Sequence, residues 1–403
     1  TKAKTMANTL LTPDVITREA LRILHQKLTF VGNINRAYDD SFAQEGAKIG
    51  DALRIRLPNQ YVVRTGATMS AQDTVETQVT LTVATQKGVD LSFTDADLAL
   101  DLDDFSRRIL EPAMSVLSAA VESDALVNMT KDVYNAIDSD GTALSFKDLT
   151  DGGALLSDNL APLDQRTALL SNTSQSTIVD ALKGLFNDSS QVSDQYLEGM
   201  MGRTAGFNFF SSSHVTNHQT GTAAKTTGYL VNGAAESGTA ITVDGGTTTF
   251  LVGDIITIAG VYRVNAETKV SSGVLQQFVI TSNSGATATS LAISPSLNAA
   301  ATGAQNVSNV PADNAAIVKV GAGASETMSS DLVYHKDSFT LATADLVLPS
   351  DVDFGSRQVY DGISMRIVRQ FQITTGTFPT RVDVLYGYKT IRAQTAARII
   401  HGA

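Results

Sequence analysis

The sequence predicts an α+β protein that carries a separate all-β domain, and three observations support this fold class. Apolar residues follow helical spacing after Thr12, and the apolar period changes to two between Gly50 and Phe93. From Lys225 to Ser325 only 9 of 101 residues are charged, and short strands alternate there with turn signals. A chain of 403 residues is also long enough for several domains.

The composition excludes several classes of protein. The chain has no cysteine, which excludes disulfide frameworks, thiolate zinc sites and cysteine nucleophiles. It has no apolar run of 18 residues, so we expect no membrane span. The net charge of -11 argues against a protein that grips nucleic acid.

The charges are unevenly distributed along the chain. Thr1 to Arg64 holds 10 basic and 6 acidic residues, whereas Asp73 to Asp132 holds 4 basic and 12 acidic residues. Patches of opposite sign on one chain can pair between copies of that chain.

The first segment is predicted to be an amphipathic helix. Thr12, Pro13 and Asp14 form a helix start, because threonine caps the backbone and proline tolerates the first turn. An apolar stripe with helical spacing follows, so one face is expected to dock on a surface. Its members are Ile16, Ala20, Ile23, Leu24 and Leu28.

Residues 50–93 are predicted to form a long two-stranded arm. Leu53, Ile55 and Leu57 alternate with polar residues, and a second alternating run extends from Val75 to Val83. The arm has a polar, glycine-containing tip and an apolar row on one face. Nothing nearby in the sequence covers that row, so we infer that a neighbouring subunit covers it.

Residues 94–137 are predicted to contain a long helix, bent at Pro112. Asp101, Asp103 and Asp104 would lie in its first turn, and one face would carry a stripe of apolar residues. The stripe is Ile109, Ala113, Val116, Ala120 and Val127. Residues 138–222 then mix helix and strand, with a strand at 166–171 and a capped helix near Ser174.

The all-β domain is predicted to span residues 223–329 as an inserted barrel, with close-set ends that let it project from a loop. Gly253 and Gly260 would allow its tight turns. Residues 330–403 return as antiparallel strands that pair with upstream segments. The predicted barrel core is Val252, Ile256, Ile258, Val261 and Val264.

No catalytic motif is present. The sequence lacks GxxxxGK[ST], HExxH and GxSxG. His214 and His218 stand four apart, but their turn-like context favours a solvated loop over a metal site. The acidic run from Asp95 to Asp104 favours helix-start electrostatics over a calcium site. The expected cofactors and metals are therefore none, and we expect no enzyme.

The order of segments resembles the major capsid proteins of tailed double-stranded DNA bacteriophages, with the Hong Kong 97-like fold. Three stretches carry the resemblance: ALRILHQKLTFVGNINRAYDDSFAQEGAKIGDALRIRLP, VTLTVATQKGVDLSFTDADLALDLDDFSRRILEPAMSVLSAAVESDAL and VGDIITIAGVYRVN. The last is similar to the insertion domain of coat proteins from short-tailed, lambdoid-related phages.

The resemblance implies a domain map. Residues 1–49 would be the N-terminal arm, 50–93 the extended loop, and 94–137 the spine helix with part of the peripheral domain. Residues 138–222 would begin the axial domain, 223–329 would be the insertion, and 330–403 would complete the axial and peripheral domains.

The resemblance also implies function and partners. The protein would self-assemble through pentamers and hexamers into an icosahedral shell in the virion. Scaffolding protein, portal protein, a decoration protein and DNA bound without sequence specificity are the expected partners, with assembly in the host cytoplasm. The expected contacts between subunits involve residues of the N-terminal arm and the extended loop: Arg18, Arg22, Arg54, Arg56, Tyr61, Arg64, Val75, Val79 and Leu81.

Two other classes of function remain open from the sequence. A phage-tail or cell-surface adhesin would bind carbohydrate through an aromatic-lined site on the β domain. An enzyme with an unrecognised site would bring histidines and carboxylates together in a cleft.

Overall fold

The computed structural model describes residues 13–36, 52–69, 71–73, 76–93, 109–139, 141–182, 203–321, 323–349, 352–374 and 377–402. The fold is mixed α+β. The helices are α1 (Pro13–Lys27), α2 (Glu111–Lys131), α3 (Phe146–Asp158) and α4 (Asn172–Leu182). The strands up to the end of the barrel are β1 (Ala52–Arg56), β2 (Gln78–Thr82), β3 (Thr85–Phe93), β4 (Ala136–Asp138), β5 (Arg166–Leu170), β6 (Arg203–Thr204), β7 (Phe207–Ser211), β8 (His218–Gln219), β9 (Thr226–Val231), β10 (Gly238–Asp244), β11 (Ile255–Val264), β12 (Ser271–Ile280), β13 (Ser290–Leu297) and β14 (Ala316–Lys319). The remaining strands are β15 (Thr327–His335), β16 (Phe339–Ala344), β17 (Phe354–Tyr360), β18 (Ile363–Arg369), β19 (Phe378–Thr390) and β20 (Ala396–Gly402).

The chain divides into two compact units. The first comprises Thr1–Arg54, Thr80–Ala125 and Thr340–Lys389, and the second comprises Ile55–Val79, Leu126–Phe339 and Thr390–Ala403. Several predicted features lie outside the described residues. They are the Thr12 cap, the Asp101 to Asp104 helix start and Val75.

The first unit contains a five-stranded sheet in the order β16-β19-β18-β17, with β3 also paired to β19. The predicted first helix is confirmed as α1, and its apolar stripe is buried. The segment after α1 is held by Glu122 of α2. Its carboxylate accepts the backbone N–H groups of Thr29 at 2.7 Å and Phe30 at 2.9 Å.

Helix α2 requires one correction to the sequence prediction. Its α-helical part, Glu111–Lys131, follows directly on π-helical residues 109–110, and the bend at Pro112 stays a prediction. The predicted apolar stripe is misplaced, because Val116 is 66% exposed. The buried face instead carries Ala113, Met114, Leu117 and Val121.

The second unit contains a seven-stranded sheet in the order β4-β20-β15-β5-β7-β6, with β8 paired to β15. The predicted strand at 166–171 is confirmed as β5, which is buried along its whole length. Helix α4 follows directly, and Ser171 caps it by accepting the N–H of Ser174 at 3.1 Å. An apolar cluster that includes Leu149, Ile178, Val333 and Ile399 fills the space between sheet and helices.

The predicted all-β segment forms a closed barrel of six strands in the order β10-β13-β12-β11-β14-β9. Closure removes sheet edges, and the interior is filled by apolar side chains such as Tyr229, Phe250 and Phe278. The chain leaves the seven-stranded sheet at β8 and returns at β15, where Gln219 lies opposite Thr327. The two ends of the barrel segment are therefore hydrogen-bonded neighbours.

The closing strands pair with segments far upstream, as the sequence predicts. Strand β19 runs antiparallel to β3, with Phe378 opposite Phe93 and Tyr386 opposite Thr85. Strand β20 joins the other sheet, parallel to β4 and antiparallel to β15.

Candidate assembly surfaces

The arm predicted at residues 50–93 is shorter than the sequence suggests. Among the described residues of the arm, β1 and β2 pair as its two strands, and the Leu57 N–H extends the ladder by donating to the Thr77 carbonyl at 2.9 Å. Strand β3 leaves the arm and enters the five-stranded sheet. The alternation of apolar and polar residues in β3 thus belongs to the five-stranded sheet. Alternation alone does not distinguish a strand of an extended arm from a strand of a sheet.

The tip of the arm, residues 57–77, is held by side chains. The side-chain amide of Gln72 accepts the Val62 N–H at 2.9 Å and donates to the Val62 carbonyl at 2.5 Å, as a neighbouring strand would. The Arg64 guanidinium donates to the carbonyls of Gly66 and Thr68. The tip is thereby shaped without a regular ladder of backbone hydrogen bonds.

The tip exposes large apolar side chains. Tyr61 is 53% exposed, Val63 is 87% exposed and Met69 is 80% exposed. Grouped exposed apolar residues on a soluble protein mark sites of association.

Part of the tip contacts the chain's own barrel. A Cβ atom added to Gly303 would lie 1.9 Å from the carbonyl oxygen of Gln60, so only glycine permits this approach. Lys269 supports the same barrel loop by donating to the Gly303 carbonyl at 2.6 Å. The barrel, which is distant from the arm in sequence, therefore covers the backbone at Gln60, while Tyr61, Val63 and Met69 remain exposed. Cover of these side chains by a neighbouring subunit stays a prediction.

The predicted contact residues fall into three groups. Leu81 is fully buried within the chain, so the prediction that it contacts a neighbour is wrong, and Val79 is half-buried. Val75 lies outside the described residues. The remaining predicted contacts are exposed: Arg18, Arg22, Arg54, Arg56, Tyr61 and Arg64.

Two of the exposed arginines form ion pairs within the described chain. Arg22 binds both carboxylate oxygens of Glu19, at 2.9 Å and 2.6 Å, and this hydrogen bonding raises the pKa of Arg22. Arg56 pairs with Glu76 across the arm at 3.1 Å. Exposed pairs of this kind are weak, so both arginines can exchange partners on association.

The structure places four of the five predicted barrel residues in buried positions. Ile256, Ile258 and Val261 belong to the barrel core, and Val264 is buried outside that cluster. Val252 is half-buried and lines a cavity instead, so its prediction as core is wrong. Gly253 has a positive φ angle (101°) in the turn before β11, as the sequence predicts. Gly260 (φ 80°) lies inside β11, where the pairing with β12 shifts register between Thr257 and Tyr262, so the predicted turn at Gly260 is wrong.

The described residues contain no group of three or more His, Asp or Glu residues placed to hold a metal ion. Ser174, His401 and Asp331 meet in the interior, but Ser174 Oγ and Asp331 Oδ2 both approach His401 Nε2, at 3.0 Å and 2.9 Å. A nucleophile and an orienting acid must use different ring nitrogens, so this is no catalytic triad.

The barrel also offers no aromatic platform for carbohydrate. Tyr229, Phe250 and Phe278 are buried in its core, and Tyr262 is 36% exposed. This arrangement does not support the adhesin alternative.

Among the exposed apolar residues in the described part of the first unit, sequence reasoning missed Phe371 and Ile373. Phe371 is 41% exposed and Ile373 is 85% exposed in the connection between β18 and β19. The alternation FQI beside a Thr-Gly turn signal was available in the sequence, but it is equally typical of a buried strand end.

Comparison with known proteins decides the family. The family model described as "P22 coat protein - gene protein 5" matches residues 24–400. The chain belongs to the P22 coat protein family. It is a major capsid protein of a tailed bacteriophage and forms the shell of the virion by association of its own copies.

Two of the similar solved structures cover most of this P22-family coat protein, and a third covers about a quarter of it. A structure from Mycobacterium phage Che8 is 10% identical with a TM-score of 0.45, covering 92% of this chain and 90% of its own. The capsid structure of cyanophage P-SCSP1u is 11% identical with a TM-score of 0.43, covering 93% and 92%. The CUS-3 coat protein I-domain is 30% identical with a TM-score of 0.19, covering 23% of this chain and 96% of its own. No curated protein matches the chain.

Membership of this family makes the protein a structural one and not an enzyme. Within the part of the chain that the structure describes, no helix combines the length and apolar character needed to cross a bilayer.

Proposed function

We propose that this coat protein forms an icosahedral shell of pentamers and hexamers around the double-stranded DNA genome. The observation that carries this proposal is the tip of the arm. It presents Tyr61, Val63 and Met69 to solvent while Gln72 and Arg64 hold its backbone in shape. A shaped tip with exposed apolar side chains is suited to lie on a neighbouring subunit, where burial of each side chain would contribute about 1.5–3 kcal/mol.

The finer fold assignment is Hong Kong 97-like. In this assignment residues 1–49 are the N-terminal arm, α2 is the spine helix, and the extended loop runs from residue 50 to about β2. The five-stranded sheet supplies the peripheral domain and the seven-stranded sheet the axial domain.

The barrel, residues 223–329, is assigned as an inserted domain. Pairing of Gln219 with Thr327 and of His218 with Met328 supports this assignment, because an insertion requires neighbouring ends. Its closed set of strands supplies its own core.

Contacts between copies would use the exposed charged residues as well as the apolar tip. Arg18, Arg54 and Arg64 are the candidates on the basic N-terminal part of the chain. Acidic residues between Asp73 and Asp132 would be their partners on another copy, since long-range attraction between opposite charges aligns associating proteins.

Other partners follow from the same function. Scaffolding protein during assembly, a portal protein and a decoration protein are the proposed protein partners, with assembly in the bacterial cytoplasm. The net charge of -11 would repel the phosphates of packaged DNA, so the protein is proposed to face the DNA without recognising its sequence.

The test is assembly of a tip variant. In the test variant, Tyr61, Val63 and Met69 are each replaced by Ser. Its urea unfolding should match that of the wild type, because these side chains are exposed. Its yield of shells, measured in sucrose gradients and negative-stain images, should be at least tenfold lower. Leu163→Ser, which alters a side chain 72% exposed outside the arm, is the control and should assemble normally. Normal shell yield from the triple variant would contradict the role of the tip.

A further inference from the structure

The second unit contains a cavity whose lining residues have no role in the proposed contacts between subunits. It has a volume of about 630 Å³ and lies between the end of α2, the segments that precede β8 and β11, and strands β15 and β20. All its lining residues belong to one chain and to one compact unit. Pockets of this size accept small molecules or a protruding side chain.

The cavity lining is basic. It includes Lys131, His218 and Arg398 and contains no aspartate or glutamate, although the whole chain carries a net charge of -11. Among the residues that the structure describes, the Lys131 ammonium forms no ion pair and no hydrogen bond. Positive charge therefore converges on this cavity.

Asp254 lies behind the cavity lining, and both of its carboxylate oxygens already have hydrogen-bond partners. Its Oδ1 contacts His218 Nε2 at 2.9 Å, and its Oδ2 accepts the backbone N–H groups of Gly221 at 3.0 Å and Leu251 at 2.9 Å. The carboxylate orients the His218 ring, and its remaining effect on Arg398 is a charge interaction without a direct hydrogen bond.

Arg398 is a buried cation with few partners. The residue is 1% exposed, and Nη2 donates to the Gly253 carbonyl at 2.7 Å. Its Nε–H has no partner, and neither has the hydroxyl of Ser330, which is 6% exposed and lines the same cavity. A guanidinium has five N–H donors, and leaving buried donors unpaired is costly. Burial lowers the pKa of Arg398 to about 10, so it stays charged at neutral pH.

Gly253 brings these groups together. An added Cβ would lie 3.0 Å from His218 Cε1 and 3.1 Å from Lys131 Cγ, and the φ angle is +101°. The absence of a side chain lets the histidine and the lysine approach each other beside the carbonyl that holds Arg398.

We propose that this cavity is a binding site for an oxyanion, a carboxylate or phosphate group, held by Arg398, Lys131 and Ser330. A planar guanidinium and an ammonium are the side chains that proteins use for these groups, and a hydroxyl adds a further donor. The group has two possible sources: an anion free in solution, or a carboxylate side chain of a second copy of the chain. The site requires residues of one chain only, so it is independent of the proposed contacts of the arm.

The first arm of the test uses unassembled coat protein with inorganic phosphate or citrate at constant ionic strength. We expect saturable binding by titration calorimetry and a rise in the melting temperature. Lys131→Met and Arg398→Met should weaken binding at least tenfold, and Ser330→Ala several-fold. Lys147→Met, at a fully exposed lysine outside the cavity, is the matched control and should bind as wild type does.

The second arm repeats the titration on assembled shells and separates the sources. Binding that persists in shells identifies a free anion, and binding that is lost in shells identifies a carboxylate of a second copy. If Arg398→Met fails to fold, Lys131→Met and Ser330→Ala still decide the matter. Absence of saturable binding of either anion to the unassembled protein, or equal binding by Lys131→Met and wild type, would overturn the proposal.

Discussion

At the scale of single residues, the first unit depends on close approaches between backbone and charged groups. Gly88 in β3 lies directly opposite Asp383 in β19. The Asp383 side chain is buried and binds Arg366 and Arg381, with Nη2 of the former at 2.5 Å and Nε of the latter at 2.8 Å. Because Gly88 has no side chain, the Asp383 carboxylate can lie over it and form its ion pairs between the two strands.

Replacement of Gly88 tests this arrangement. In Gly88→Ala the new Cβ would lie 2.5 Å from both Asp383 Oδ1 and the Val382 carbonyl, so the strands or the ion pair must shift. Overpacking of this kind costs about 1–3 kcal/mol, and urea unfolding of the unassembled protein should show a loss in that range. Gly32→Ala, where a Cβ meets nothing within 4 Å, is the control and should change stability by less than about 1 kcal/mol. Equal stability of the two variants would show that the sheet accommodates the methyl group.

A buried histidine makes stability depend on pH. His335 is 5% exposed, and its Nδ1 accepts the backbone N–H of Asp337 at 3.2 Å, which requires that nitrogen to be unprotonated. Burial lowers the pKa of His335 below its usual 6.5. Its contribution to stability is therefore complete above the unfolded-state pKa near 6.5 and is lost as the pH falls through the lower folded-state value.

Urea unfolding at pH 7.5 and pH 5.5 checks this sign. The wild-type protein should lose more stability on acidification than His335→Asn, which retains a side-chain acceptor but no titratable ring. A larger loss in the variant than in the wild type would contradict the assignment.

At the scale of elements, the sequence predicts regular segments better than it predicts their partners. Helix α1 and strand β5 are where the apolar pattern indicates, because short-range spacing fixes them. The pattern of β3 is equally compatible with an arm and with a sheet, and only its pairing to β19 decides. The positions of Val252 and Leu81 are predicted wrongly for a related reason. Hydrophobicity indicates that a side chain is buried, but it does not indicate which surface buries it.

The barrel is the element most suited to fold alone. Its six strands close on themselves, and its core contains Phe250, Ile256 and Phe278 without help from the rest of the chain. Residues 223–329, expressed in isolation, should unfold cooperatively in urea. Phe278→Ala should destabilise that fragment by about 3–5 kcal/mol.

A noncooperative transition, or equal stability of the fragment and its Phe278→Ala variant, would show that the barrel depends on the seven-stranded sheet. Tyr262→Ala, at a side chain 36% exposed, is the aromatic control and should cost less than about 1.5 kcal/mol.

At the scale of the whole molecule, the sequence supports the class of protein, and the structure supplies the surfaces that the sequence leaves open. The order of segments resembles that of phage capsid proteins, and this resemblance implies a shell protein, with which the lack of catalytic motifs and the segregated charge agree. The exposure of Phe371 and Ile373 required the folded chain, because the sequence does not show which side chains stay uncovered. The basic cavity at Arg398 required it too, because residues distant in sequence line that cavity.

The central claim is that the tip of the arm is completed by another copy of the chain. The most direct measurement is a cryo-electron microscopy map of the assembled shell that resolves side chains of residues 57–77. The account predicts that Tyr61, Val63 and Met69 lie buried against a neighbouring subunit. A map in which all three remain in solvent, or pack only on the chain's own barrel beside Gly303, would contradict it.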